Sequence, residues 1–166
     1  ISIWYSAGTQ NFDSWNEFYP GWLITKGLDN TGTGYAILSI YDDNPADPYY
    51  CSSGIRPQIS LSSNVGGSQP IDCELFDTWT HLVVTFTNNV FDIYLNGLLI
   101  QTTNATTTNG IVQSSEPLFF GFLSGTAIEK HFNGTIDDTG IWNRALTSCE
   151  VQDLYSAELN STTSVT

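Results

Sequence analysis

WTHLVVTFTNNVFDIYLNGLLI, residues 79–100, is the stretch whose reading decides the fold. Thr80 to Thr87 is β-branched and apolar and reads as a strand. Asn88-Asn89 is a hairpin turn signal, and Phe91 to Leu95 returns from it. Asn96-Gly97 is the strongest short hairpin signal, because both residues tolerate positive φ, and Leu98-Leu99-Ile100 opens a third strand. Trp79, Phe86, Leu95 and, further on, Trp142 are large apolar groups in strand-like segments, as a core between two sheets needs.

Working outward, strand periodicity dominates. Ile1–Tyr5, Trp22-Leu23-Ile24, Tyr35–Tyr41 and Ile55–Ser62 precede the hairpins, and Pro117–Phe122 and Phe132–Trp142 follow them. The apolar run at 117–122 predicts a buried strand. One helix is convincing: Thr147 or Ser148 caps a run in which Glu150, Val151, Leu154 and Tyr155 fall at helical spacing. The fold class is therefore all-β, a two-sheet antiparallel jelly-roll sandwich with one short C-terminal helix. Residues 1–158 read as one domain and 159–166 as a tail or linker. The chain contains no Met and opens on a strand, so we expect upstream sequence to exist.

Composition narrows the partners. With 40% hydrophobic residues the chain can build a packed core. Seventeen acidic residues against 4 Lys and Arg leave a net charge of -13, which repels nucleic acid and anionic lipid. No apolar run approaches the roughly 20 residues that span a bilayer, so membrane insertion is not expected. Cys51 and Cys73 close a loop of about 20 residues in a disulfide-like arrangement. Cys149 is left as a buried free thiol or as a partner for upstream sequence or another subunit. Asn104, Asn133 and Asn160 begin glycosylation sequons, and an extracellular location accommodates all of this.

The 79–100 block, together with Phe132-Asn133-Gly134-Thr135-Ile136-Asp137-Asp138, Ile141–Thr147, Glu150 and Leu154-Tyr155, resembles the laminin-G-like and pentraxin-like jelly rolls of concanavalin A-like type. The resemblance covers about the last 90 residues well. It extends more weakly to Ile3-Trp4, Ile24–Gly27 and Tyr35–Ile40. It implies a strand or strands before Ile1, now missing, that an upstream segment, a separated fragment or a neighbouring subunit would supply. It also implies calcium as candidate cofactor. Asp29-Asn30 stands where pentraxin-like relatives place a calcium pair, with Glu129 as the acid of the second loop. Asp137 and Asp138 stand where laminin-G-like jelly rolls often carry an acidic pair. On a regular strand, those two adjacent side chains would face opposite sides.

No catalytic site is legible. No strand carries alternating carboxylates of the glucanase kind, and no nucleophile elbow or zinc spacing appears. His81 reads as a packed, hydrogen-bonded core residue. Trp15, Tyr19, Trp22, Tyr49 and Tyr50 crowd two early loops. They either pack over the open end of the sandwich or offer rings on which a sugar stacks. The expected role is a non-catalytic extracellular binding or adhesion module for a glycan or protein. The alternative is a structural subunit of an extracellular assembly that self-associates.

Overall fold

The computed structural model describes residues 1–8, 21–27, 34–40, 54–61, 74–75, 77–104, 113–122 and 131–161. The strands are β1 (Ser2–Ala7), β2 (Gly21–Gly27), β3 (Gly34–Ile40), β4 (Gly54–Leu61), β5 (Glu74–Leu75), β6 (Trp79–Thr87), β7 (Val90–Leu95), β8 (Leu98–Asn104), β9 (Leu118–Phe120) and β10 (Gly134–Gly140), and the helix is α1 (Ser148–Ser161). They form two five-stranded sheets, ordered β10-β1-β6-β7-β8 and β5-β4-β3-β2-β9. Every ladder between named strands is antiparallel. This is the two-sheet sandwich expected from the periodicity. α1 runs three residues beyond Glu158, to Ser161. Among the described residues no helix is long and apolar enough to cross a membrane.

Both turns of the central meander have positive φ at their two inner positions, 49° and 62° at Asn88-Asn89 and 49° and 79° at Asn96-Gly97. That conformation follows the right-handed twist of the flanking strands, which is why Asn and Gly occupy it. Asn96 has a second task. Its Oδ1 accepts from the His81 backbone N–H at 3.0 Å while its own N–H donates to the His81 carbonyl at 2.8 Å, closing the end of the β6–β7 ladder.

The strands of β6 and β7 bury both faces, and the structure divides them between two cores. Leu82 and Val84 point inward with Ile3, Tyr5, Leu23, Ile24, Ile37, Phe91, Ile93 and Leu95, filling the space between the sheets. Val83 and Tyr94 point outward, beneath Leu146 and Val151, with Trp142 and Leu154 at the margin. Helix α1 and the segment leading to it thus form a third layer. Its start is a capping box: Thr147 Oγ1 accepts from the Glu150 N–H at 3.3 Å and Glu150 Oε2 accepts from the Thr147 N–H at 2.8 Å.

Three expectations need correction. Trp79 does not enter the inter-sheet core; it stands at the mouth of β6 and is 46% exposed. Trp142 packs in the outer cluster under α1, because residues 141–147 cross the outside of the sheet. The run at 117–122 is no buried central strand either. β9 has only β2 as a described neighbour, and Phe120 is 44% exposed at this edge. Among the described residues the edges of the first sheet are β10 and β8, with β1 paired on both sides.

Candidate functional site

Strand β1 alternates strictly, so Ile3, Tyr5 and Ala7 enter the core while Ser2, Trp4 and Ser6 face out under α1. Register then sets the neighbours. Trp4 lies directly opposite His81 on β6 and opposite Asp137 on β10, and Ser6 lies opposite Trp79. From above, the face of α1 carrying Tyr155, Glu158 and Leu159, spaced three and four residues apart, comes down on this row.

His81 is fully buried against two rings that also meet each other, the Trp4 and Tyr155 centroids being 5.7 Å apart. Its centroid is 4.9 Å from that of Trp4 and 5.8 Å from that of Tyr155, with interplanar angles of 21° and 13°. Nε2 pairs with the Ser2 hydroxyl at 2.7 Å and lies 3.8 Å from Glu158 Oε2. Burial opposes the charged ring and lowers its pKa to about 4, so His81 is neutral at neutral pH. Glu158 Oε2 also accepts from the Trp4 indole N–H. Desolvation raises the Glu158 carboxyl to about 7, helped by the charges of Asp138 and Asp137.

Those two aspartates are brought together by a bulge. Along β1–β10 the pairing steps from Trp4↔Asp137 to Ser2↔Gly140, so β10 carries one extra residue. Asp138 takes it up with a φ of 41°, and its N–H is held by Asp137 Oδ1 at 2.9 Å. The expectation that adjacent residues face opposite sides therefore fails. Asp137 and Asp138 line one open cavity of about 230 Å³, together with Trp4, Trp79, Glu158 and Leu159. A second cavity, of about 260 Å³, sits at the mouth between the sheets, and Tyr35, Ile37, Phe86, Phe91 and Trp142 make it mainly apolar.

Of the other expected site residues, Trp22 lies on β2, half-buried, beside the bulge that turns both Leu23 and Ile24 into the core. Trp15, Tyr19, Tyr49, Tyr50, Asp29, Asn30, Glu129, Cys51 and Cys73 lie outside the described residues. Among the described residues no three His, Cys, Asp or Glu side chains converge as a metal site. Asp137 and Asp138 alone do not fit calcium, which takes about six to eight oxygen ligands. Asn104 ends β8 and Asn133 precedes β10, both exposed, while Asn160 is in the last turn of α1. Cys149 is free but not buried as expected: it is exposed in the first turn of α1, off the face that packs on the sheet. Sequence reasoning passed over Trp4, Trp79 and Glu158. The outward phase of Trp4 on β1 and the helical phase of Glu158 behind Tyr155 were the available signals.

Comparison with known proteins agrees with this architecture. Residues 25–152, more than half of the chain, match a laminin G family model described as the concanavalin A-like lectin/glucanases superfamily. The chain belongs to that superfamily. Its fold is similar to a native heptameric SAP-like pentraxin from Limulus polyphemus, with a TM-score of 0.69 at 12% identity, covering 93% of this chain and 67% of that one. It is also similar to domain 4 of an extracellular GH43 arabinanase from Geobacillus stearothermophilus, solved with arabinotriose (TM-score 0.60, 16% identity, 93% and 64% covered). A putative carbohydrate binding protein from Bacteroides ovatus is a third (TM-score 0.58, 16% identity, 91% and 40% covered). The chain thus spans between 40% and 67% of these structures. No curated protein sequence matches it.

Proposed function

We propose that this chain is a non-catalytic, extracellular carbohydrate-binding module whose ligand sits in the cavity between Trp4 and Trp79. The observation that carries this reading is the composition of that cavity: two indoles and three carboxylates around one open space. Indole faces stack on the carbon face of a sugar ring, and carboxylates accept its hydroxyl hydrogens. Superfamily membership and the two carbohydrate-associated neighbours support the same direction.

A raised carboxyl beside two other acids is also what a glycosidase acid requires. Here, however, the Glu158 oxygen is taken by the Trp4 indole and stands against His81, which favours a wall residue over a proton donor. Calcium enters the proposal only through the resemblance of Asp29, Asn30 and Glu129 to a pentraxin-like pair and loop. A thermal melt in calcium and in EGTA checks that part.

The test of the main reading is a titration with neutral and charged oligosaccharides, followed by the indole N–H signals in two-dimensional NMR. The Trp79 signal should shift and saturate, and Trp79→Ala should lose binding while remaining folded. Unchanged binding by Trp79→Ala would remove this site.

One observation favours the assembly alternative. Leu98 and Leu99 are 64% and 51% exposed on β8, an edge of the first sheet among the described residues. Edges of that kind invite pairing with another chain. Light scattering across a concentration series separates the readings, since a structural subunit grows with concentration and a binding module does not.

A further inference from the structure

We propose that the cavity selects an amino sugar, a ring bearing a free ammonium group that enters among Asp137, Asp138 and Glu158 while its carbon face lies on the indoles. This rests on the carbohydrate-binding reading above and narrows it.

The cavity gathers acidic charge in a shaped, aromatic space. Three of the six lining residues are carboxylates and none is basic. Two cations of the chain are engaged elsewhere. Lys26 Nζ donates to the Glu116 carbonyl at 2.8 Å, and Arg144 is forked onto Glu150. The acidity is already felt within the site, since Asp138 and Asp137 help to push Glu158 to about 7. A sulfated or uronic sugar would add to this repulsion, and a neutral sugar would leave it in place. An ammonium removes it, and the π faces of Trp4 and Trp79 attract the same charge when it lies within about 6 Å of a ring. A divalent metal ion would offer more charge, but the described side chains do not converge on a point as its ligands must. The space suits a ring rather than a long chain. At about 230 Å³ the cavity falls short of the roughly 300 Å³ at which pockets for drug-sized ligands begin.

The experiment is calorimetry at about neutral pH and low salt, where surface charge is least screened. It compares three short oligosaccharides of equal length and linkage: glucosamine, N-acetylglucosamine and glucose. The free-amine oligomer should bind at least about tenfold tighter than either neutral one, the scale of one cation–π or charge contact. Asp138→Asn should abolish the preference, so that this variant binds the free-amine and the neutral oligomers alike. Asn is among the residues that best tolerate the positive φ found there, so this variant should fold. Equal or tighter binding of the neutral oligomers, with the Trp79 signal still shifting, overturns the amine selection and leaves the carbohydrate reading standing. Silence of Trp79 toward all three sugars overturns both. Saturable binding of lysine methyl ester with no sugar bound would assign the cavity to a basic protein partner instead, and also overturns the proposal.

Discussion

The indole Nε1 of Trp4 donates to Oε2 of Glu158, tying the first strand to the last helix across 154 residues of sequence. The same oxygen faces His81, so two groups with opposite titration behaviour share one contact. Glu158 is raised from 4.5 to about 7, so between those values the folded protein keeps a proton that the unfolded chain gives up. That term makes stability decline as pH rises through this window. His81 is lowered from 6.5 to about 4, so between those values the unfolded chain takes a proton that the folded protein refuses. Its term makes stability decline as pH falls. Among the groups facing Glu158 are Asp137 and Asp138 from β10 and His81 from β6. The two slopes oppose each other between 4.5 and 6.5. Urea unfolding across that range should find the parent nearly flat and Glu158→Gln losing stability steadily on acidification. Parallel pH profiles for the two would refute the shifted titration of Glu158.

Gly97 is held by two constraints at once. Its φ is 79°, and a Cβ placed there would stand 3.0 Å from Cδ1 of Tyr155. Gly97→Ala should cost about 1–2 kcal/mol for the backbone conformation alone, with a further loss from pushing α1 off the sheet. Adding Tyr155→Ala should recover the second part and not the first. Thermal melts of both single variants and the double variant, closed as a cycle, separate the terms. Purely additive losses would mean that the ring yields freely.

Glu150 serves both the capping box and a fork from Arg144, with contacts of 2.6 and 2.8 Å. The Arg144 hydrogen bond and the Thr147 backbone N–H hold its carboxyl down at about 2 against an ordinary 4.5. Its contribution is therefore complete above pH 4.5 and disappears as pH falls toward 2. Amide exchange should show the first turn of α1 opening more readily in Glu150→Ala than in Arg144→Ala, because only the former loses the reciprocal cap. Equal opening in the two would make the cap incidental.

Trp4 and Trp79 border one cavity but differ in their load. Trp79 is exposed, whereas Trp4 stacks on His81 and Tyr155 and bonds to Glu158. Trp79→Ala should leave the melting temperature within a degree or two, as surface replacements do. Trp4→Ala should lower stability by about 3–5 kcal/mol, the range for removing a packed Trp. Similar losses in both would contradict the assignment of Trp79 as a free binding surface.

Much of the fold could be read from local chemistry. Asn88-Asn89 and Asn96-Gly97 encode their turns in their own backbone freedom, and Thr147 with Glu150 encodes a helix start within four residues. The site was harder because none of its links is local. The Asp137–Asp138 bulge exists only relative to β1, and alternation along one strand cannot report a register slip against another. Trp79 has the chemistry of a core residue but shares the outward phase of His81 and Val83 on β6, so it faces the α1 side of the sheet, where it is exposed. Glu158 reads as helix surface until the helix is seen to lie on Trp4.

The position of β1, between β6 and β10, also fixes an order of events during folding. The β6–β7–β8 meander closes through two-residue turns, the shortest loop closures between its strands. The Ser2–His81 contact must wait for a closure spanning 79 residues, and Trp4–Glu158 for one spanning 154. Contacts of that separation are gained late, after the entropy of long loops has been lost. Quenching of Trp4 by its stacked neighbours would therefore mark the final kinetic phase, and the cavity would open for business only once the whole chain had closed around it.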